Sequence, residues 1–66
     1  MQIIVNGEPR NVSDGLTAEQ LVSDMDIVGK RIAMEVNLEI VPRSTYADHI
    51  FHEGDKIEVV HAVGGG

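Results

Sequence analysis

Apolar side chains recur at every second position in two stretches of the chain, and this alternation predicts half-buried strands. In residues 32–36 the apolar positions form one face. In residues 56–62, Ile57 and Val59 take the inward positions. A β-branched run at residues 2–6 predicts a further strand. Strands are therefore expected near both ends of the sequence.

Two short turns connect these strands to return strands. The asparagine–glycine pair at residues 6–7 suits a two-residue hairpin turn because both positions tolerate positive φ, and a strand over residues 8–12 is expected to follow. Pro9 lacks a backbone N–H, which either places that strand at a sheet edge or leaves a gap in its hydrogen bonding. A turn at residues 37–39 leads to a short strand at residues 40–41.

The segment between the two predicted hairpins contains the signals of one helix, over residues 17–26. Thr17 and Gln20 have the spacing of a capping box. Apolar residues then follow at helical spacing on one face. Leu16 precedes the cap, where it is expected to pack as a hydrophobic staple. These signals predict one short, capped helix.

The remaining loops carry weaker signals. Either Ile27 or Val28 is expected to anchor the loop after the helix. Ser44 is expected to cap a single helical turn, with Tyr46 and Ile50 packed against the core.

The order of these elements predicts an α+β fold of the β-grasp type, with a four- to five-stranded mixed sheet covered by one main helix. The first and last strands are expected to be central and parallel, because the helical crossover between the hairpins gives room for such a connection. Residues 1–62 are expected to form the domain, and residues 63–66 a flexible glycine tail.

Composition narrows the possible functions. The chain has 66 residues, a net charge of −6 and no cysteine, so it offers no disulfide and no thiolate. Its only adjacent basic pair is Lys30-Arg31, which argues against nucleic acid. No apolar run is long enough for a membrane span and no leader opens the chain, so a cytoplasmic protein is expected. The excess of acidic over basic residues suits binding to a basic protein partner, or it only keeps the protein in solution.

Three histidines raise the question of a metal site. His49 and His52 lie three residues apart, close to Asp48 and Glu53, and His61 falls in the last predicted strand. Metal sites need several converging ligands, whereas this segment is typical of a turn. The histidines are therefore interpreted as surface residues, and no metal is expected.

Several motifs together carry a resemblance to a known family. They are EVN at 35–37, EIVPRS at 39–44, GDKIEVV at 54–60 and VGGG at 63–66. On these motifs the whole chain resembles the ubiquitin-like sulfur carriers of the MoaD/ThiS family, in particular its thiamine-biosynthesis branch. Leu38 departs from the family pattern, which often has glycine there.

The resemblance implies a non-enzymatic protein cosubstrate that has no catalytic residues and binds no cofactor. A ThiF-like adenylating enzyme, which holds ATP and Mg²⁺, is expected to attach AMP to the carboxylate of Gly66. Sulfur delivered through a cysteine desulfurase then gives a thiocarboxylate, which donates sulfur to a ThiG-like thiazole synthase. Gly64 and Gly65 are expected to thread the partner's active site together with Gly66. The carrier itself is expected to be a monomer.

A docking surface is expected beside the tail. By alternation Val60 and Ala62 point away from the core, and Val63 follows them. A contiguous apolar group near a functional end suggests a partner site, although ordinary sheet coverage gives the same pattern. Glu58 and Arg43 are predicted contacts at its rim.

Other functions remain open at the level of sequence. The small subunit of a molybdopterin synthase would share the fold and the glycine end. A modifier conjugated to lysine would share the terminal chemistry but use an amine acceptor. A β-grasp module that binds protein or RNA would need no tail chemistry, and the three glycines alone would then be a frayed terminus.

Overall fold

The computed structural model describes residues 1–61, with His61 described by its backbone only. These residues form five strands, one α-helix and one turn of 3-10 helix. The elements are β1 (Gln2–Val5), β2 (Glu8–Asn11), α1 (Ala18–Asp24), β3 (Ile32–Val36), β4 (Glu39–Val41), the 3-10 turn Arg43–Thr45 and β5 (Lys56–His61). All five strands belong to one sheet.

The strands lie in the order β2-β1-β5-β3-β4. β1 and β5 are parallel neighbours in the middle of the sheet, and the other pairs are antiparallel. Buried side chains of α1 pack against one face only. The predicted β-grasp fold with its mixed sheet is therefore confirmed. β2, with Pro9, lies at an edge, as its missing donor requires.

Both hairpins turn through two residues with positive φ. The angles are 51° at Asn6 and 83° at Gly7 in the first turn, and 53° at Asn37 and 71° at Leu38 in the second. Such turns match the right-handed twist of the strands. Asparagine and glycine adopt this region readily, whereas leucine places its Cβ against the backbone. The second turn therefore contains a strained residue.

Leu38→Gly is expected to raise the free energy of unfolding by about 0.5–1 kcal/mol, because the relief of left-handed strain exceeds the entropy that glycine adds to the unfolded chain. Little burial is lost, since Leu38 is 87% exposed. Urea unfolding measures the change, and Leu38→Ala is the control because it shortens the side chain but keeps the Cβ. Equal stability of the glycine and alanine variants would contradict this explanation.

The helix begins as predicted and ends earlier. The Thr17 hydroxyl accepts a hydrogen bond from the Gln20 N–H, 3.2 Å, and the Gln20 side chain accepts from the Thr17 N–H, 3.0 Å, which completes the capping box. α1 ends at Asp24, and Asp26 adopts a φ of 59°. This left-handed residue stops the helix two residues before the predicted end.

The core fills the space between α1 and the sheet, and among residues 1–60, whose side chains are described, it contains no buried polar or charged residue. Its members are Ile3, Val5, Ala18, Leu21, Val22, Ile27, Met34, Val36, Val41, Tyr46, Phe51, Ile57 and Val59. Leu16 packs partly against it. The sequence left open whether Ile27 or Val28 anchors the loop after the helix. In the structure Ile27 is buried, whereas Val28 is 68% exposed.

Two predictions about the long loop were wrong. Ile50 is 51% exposed, and its neighbour Phe51 is 1% exposed instead. The Phe51 N–H donates to the Leu16 carbonyl, 3.0 Å, and this extended pairing turns successive side chains to opposite sides. Ser44 does not cap the short helical turn, which begins after Pro42 without a side-chain cap. Proline supplies the required φ of −63° in its place.

The predicted boundary between the domain and the tail lies where the described part of the chain ends. β5 is described to His61, whereas the sequence predicts a strand through Ala62. Ala62 and the tail, residues 63–66, lie outside the described residues, so the boundary stays a prediction. In residues 1–61 no helix is long and apolar enough to span a bilayer.

Candidate functional site

The face of the sheet that points away from α1, here called the open face, collects the outward side chains of the strands. The outward residues of β1, β3, β4 and β5 include Ile4, Ala33, Glu35, Ile40, Lys56, Glu58 and Val60. Sequence alternation predicted that Val60 points outward, and Glu58 was predicted as a contact at the rim. The sequence did not predict that Ala33, Glu35 and Ile40 share this face. Their positions depend on strand order and register, and alternation along a single strand does not contain that information.

The apolar part of the open face lies near the end of β5. Val60 is directly opposite Ala33 on β3, and it is 63% exposed. Ile40 on β4 is opposite Glu35 and is also largely exposed. Ile40 therefore lies in the row of the two glutamates, and the apolar area at the end of β5 consists of Val60 and Ala33. Exposed apolar side chains of this kind near a functional end are typical of a protein contact.

The acidic part of the open face is a pair of like charges. Glu35 and Glu58 are cross-strand partners in the β3–β5 register. Within residues 1–61 neither carboxylate takes part in a hydrogen bond or an ion pair. Like charges directly opposite each other destabilise a sheet. Lys56 lies on the same face, two positions before Glu58, but within residues 1–61 it forms no ion pair with either carboxylate. A positive group from a partner would therefore relieve this repulsion.

Arg43 lies on the opposite side of the sheet from Val60 and Glu58. Its guanidinium donates a hydrogen bond to the Lys30 carbonyl beside the start of β3, and it lines a cleft with Tyr46. Burial raises the pKa of the Tyr46 hydroxyl above its usual value, although the Arg43 charge opposes this shift. The structure therefore does not bring Arg43 to the open face, and its rim contact stays a prediction.

The remaining predicted site residues are Ala62, Val63, Gly64, Gly65 and Gly66, and they lie outside the described part of the chain. The strand that precedes them is described. β3 pairs with β5 as far as Ile32 opposite His61, so the described part of β5 ends beside the apolar part of the open face. The predicted docking residue Val60 thus lies close to the last described residue of the chain.

A groove of about 420 Å³ lies beside β4 and contains the two histidines considered above. The His49 ring packs edge-on against Phe51, with 5.4 Å between the ring centroids. Among the residues that the structure describes, no three histidine or acidic side chains gather closely enough to hold a metal ion. The groove therefore adds no ligand set to the site on the open face.

Comparisons with known proteins point to one family. The sequence model of the ThiS family matches residues 3–66. Thiazole synthase from Paramagnetospirillum magneticum is 44% identical over the whole chain, which spans 20% of that relative. The sulfur carrier protein ThiS of Escherichia coli is 33% identical, and 100% of both chains is covered.

A solved structure agrees with these sequence relationships. The crystal structure of the thiamine biosynthesis protein ThiS from Geobacter metallireducens superposes with a TM-score of 0.83 at 28% identity, and it covers 100% of each chain. The family match includes the terminal glycines, and the fold is shared throughout. The chain therefore belongs to the ThiS family, whose members include these carriers of thiamine biosynthesis.

Proposed function

We propose that this chain is a sulfur carrier protein of thiamine biosynthesis and that it carries sulfur on the carboxylate of Gly66. The observation that supports the proposal most strongly is the family match, because it extends through the last glycine. The chain is a substrate of its partners in this scheme and has no active site of its own. The absence of cysteine agrees with a terminal carrier, since no side chain offers a thiolate.

The chemistry begins with activation of a poor electrophile. One carboxylate oxygen of Gly66 attacks the α-phosphorus of ATP, and pyrophosphate leaves, which gives an acyl-adenylate. The outer sulfur of a persulfide then attacks the carbonyl carbon and AMP leaves, and a thiol reductant cleaves the resulting S–S bond to release the thiocarboxylate. We place ATP and Mg²⁺ in a ThiF-like partner, because the chain has no glycine-rich phosphate loop ending in lysine. A cysteine desulfurase would supply the sulfur.

The tail must reach an active site in the partner. Residues 62–66 extend at most roughly 16–18 Å. Fixing each backbone residue costs about 1–2 kcal/mol of conformational entropy, and glycine loses most. A docking contact must offset this cost. The open face supplies it in our proposal, because it lies at the end of the sheet where the chain leaves.

The open face also indicates what kind of partner surface it meets. Val60 and Ala33 offer an apolar area, and Glu35 and Glu58 offer two adjacent negative charges. A partner surface with an arginine or lysine beside apolar side chains complements both parts. Such complementarity raises the association rate and makes it dependent on salt.

The acceptor of the sulfur is proposed from the relatives. In Paramagnetospirillum magneticum a region similar to this chain is part of a longer thiazole synthase. Two functions joined in one chain meet at a high effective concentration, which is useful when one must deliver a group to the other. We therefore propose a ThiG-like thiazole synthase as the acceptor.

Val60→Asp is expected to lower kcat/KM for adenylation by a ThiF-like enzyme about tenfold, mainly through KM, because it places a third negative charge in the apolar contact. Pyrophosphate release measures the rate. Val28→Asp is the matched control, because Val28 is similarly exposed at 68% but lies in the loop after α1. If both variants were adenylated as efficiently as the unaltered protein, the open face would not be the docking surface.

A further inference from the structure

The side chain of Asn6 bonds to β5 at Val59, two residues before the described part of that strand ends. β1 stops at Val5, which is paired with Ile57, but β5 continues to His61. The Val59 N–H donates to the Asn6 side-chain oxygen, 2.9 Å, and the Asn6 side-chain nitrogen donates to the Val59 carbonyl, 3.2 Å. The side chain thus pairs with both backbone groups of Val59 after the backbone of β1 has turned away.

An amide side chain suits this position for two reasons. It carries the same donor and acceptor as a peptide group, so it extends the parallel ladder by one step. Asparagine also tolerates the φ of 51° that the hairpin turn imposes. The Asn6 N–H itself still donates to the Ile57 carbonyl, 2.9 Å. Backbone and side chain of one residue therefore hold two successive steps of β5.

Asn37 occupies the equivalent place in the second hairpin and holds the opposite end of β5. Its φ is 53°, and its side-chain oxygen accepts from the Lys56 N–H, 3.0 Å. Its side-chain nitrogen donates to the Asp55 carboxylate, 3.0 Å. The two asparagines share turn chemistry and bond the same strand, but only Asn6 acts near the tail.

We propose that Asn6 is a positioning residue for the reaction at the C-terminal carboxylate, an inference that rests on the proposed carrier function. With the clamp in place, β5 is held at Val59 by Asn6 on one side and lies beside β3 on the other. Without the clamp, the strand from Val59 onward is paired only with β3. Strand ends paired on one side open more readily. Val60 and the tail after it are then held less firmly in one orientation relative to the sheet.

Asn6→Gly tests this role, because glycine keeps the hairpin turn and removes only the clamp. Amide hydrogen exchange at Val59 is expected to become about tenfold faster, as loss of two hydrogen bonds predicts. The kcat/KM for adenylation is expected to fall about fivefold. Asn37→Gly is the control, and it should leave Val59 exchange and kcat/KM within about twofold of the unaltered protein.

The outcomes separate the clamp from the carrier function. Equal losses of kcat/KM in the two variants would show that general stability, and not the position of the tail, governs the reaction. Unchanged exchange at Val59 in Asn6→Gly would show that the clamp does not hold the strand. If the unaltered protein is not adenylated, the carrier function fails, whereas the exchange comparison still decides whether Asn6 fixes this end of β5.

Discussion

Removal of Gly66 is expected to lower the rate of carboxylate adenylation at least about a hundredfold. The shortened chain still ends in a glycine carboxylate, so its chemistry is unchanged. That carboxylate is withdrawn by about 3.5 Å, the length of one extended residue. A reacting group misplaced by about 1 Å already costs on the order of a hundredfold in rate. Pyrophosphate release with a ThiF-like enzyme measures the loss.

Two controls distinguish an effect of the deletion on the reach of the tail from an effect on folding. An added fourth glycine displaces the carboxylate in the opposite direction and should cause a loss of similar size. The thermal unfolding midpoint of both variants should match the unaltered protein, because no core residue lies after Val59 among those described. If the shortened chain were adenylated at the full rate, the partner's reaction would not depend on the position of the terminal carboxylate.

Phe51→Ala is expected to reduce the free energy of unfolding by about 3–5 kcal/mol, because it empties the position of a large, fully buried side chain. A domain of this length has a total stability of only about 3–10 kcal/mol. The variant should therefore be close to unfolded at 25 °C. Urea unfolding followed by circular dichroism measures the change, and Phe51→Leu provides a milder variant that stays folded.

Ile50→Ala is the matched control for the core. Ile50 adjoins Phe51 in the chain, but its side chain is half exposed. Its truncation should cost less than about 1 kcal/mol. A loss as large as that of Phe51→Ala would mean that the sequence-based placement of Ile50 in the core was right and that the alternation found in the structure is wrong.

These two neighbours also show where sequence reasoning reaches its limit. The capping box at Thr17 and the hairpin turn at residues 6–7 depend on nearby residues, so local signals predicted both. Which of Ile50 and Phe51 faces inward depends on a hydrogen bond from residue 51 to Leu16, far away in the chain. No periodic pattern in a short loop contains that information.

The candidate site divides in the same way. Alternation along β5 predicted that Val60 points outward, and the structure agrees. The neighbours of Val60 on β3 depend on strand register, so Ala33 and Glu35 were not predicted. Arg43 was predicted as a contact at the rim, but its hydrogen bond to the Lys30 carbonyl and the cleft that it lines with Tyr46 place it on the other side of the sheet. The Asn6 clamp likewise joins residues 53 positions apart.

The role of the terminal carboxylate is the central claim, and the intact mass of the protein tests it most directly. The full chain is incubated with ATP, a ThiF-like adenylating enzyme, a cysteine desulfurase, cysteine and a thiol reductant, and then measured by mass spectrometry. The account predicts a mass increase equal to sulfur minus oxygen, located on the C-terminal peptide and absent when ATP is omitted. An unchanged mass, with an active enzyme that converts a known ThiS protein in the same mixture, would contradict it.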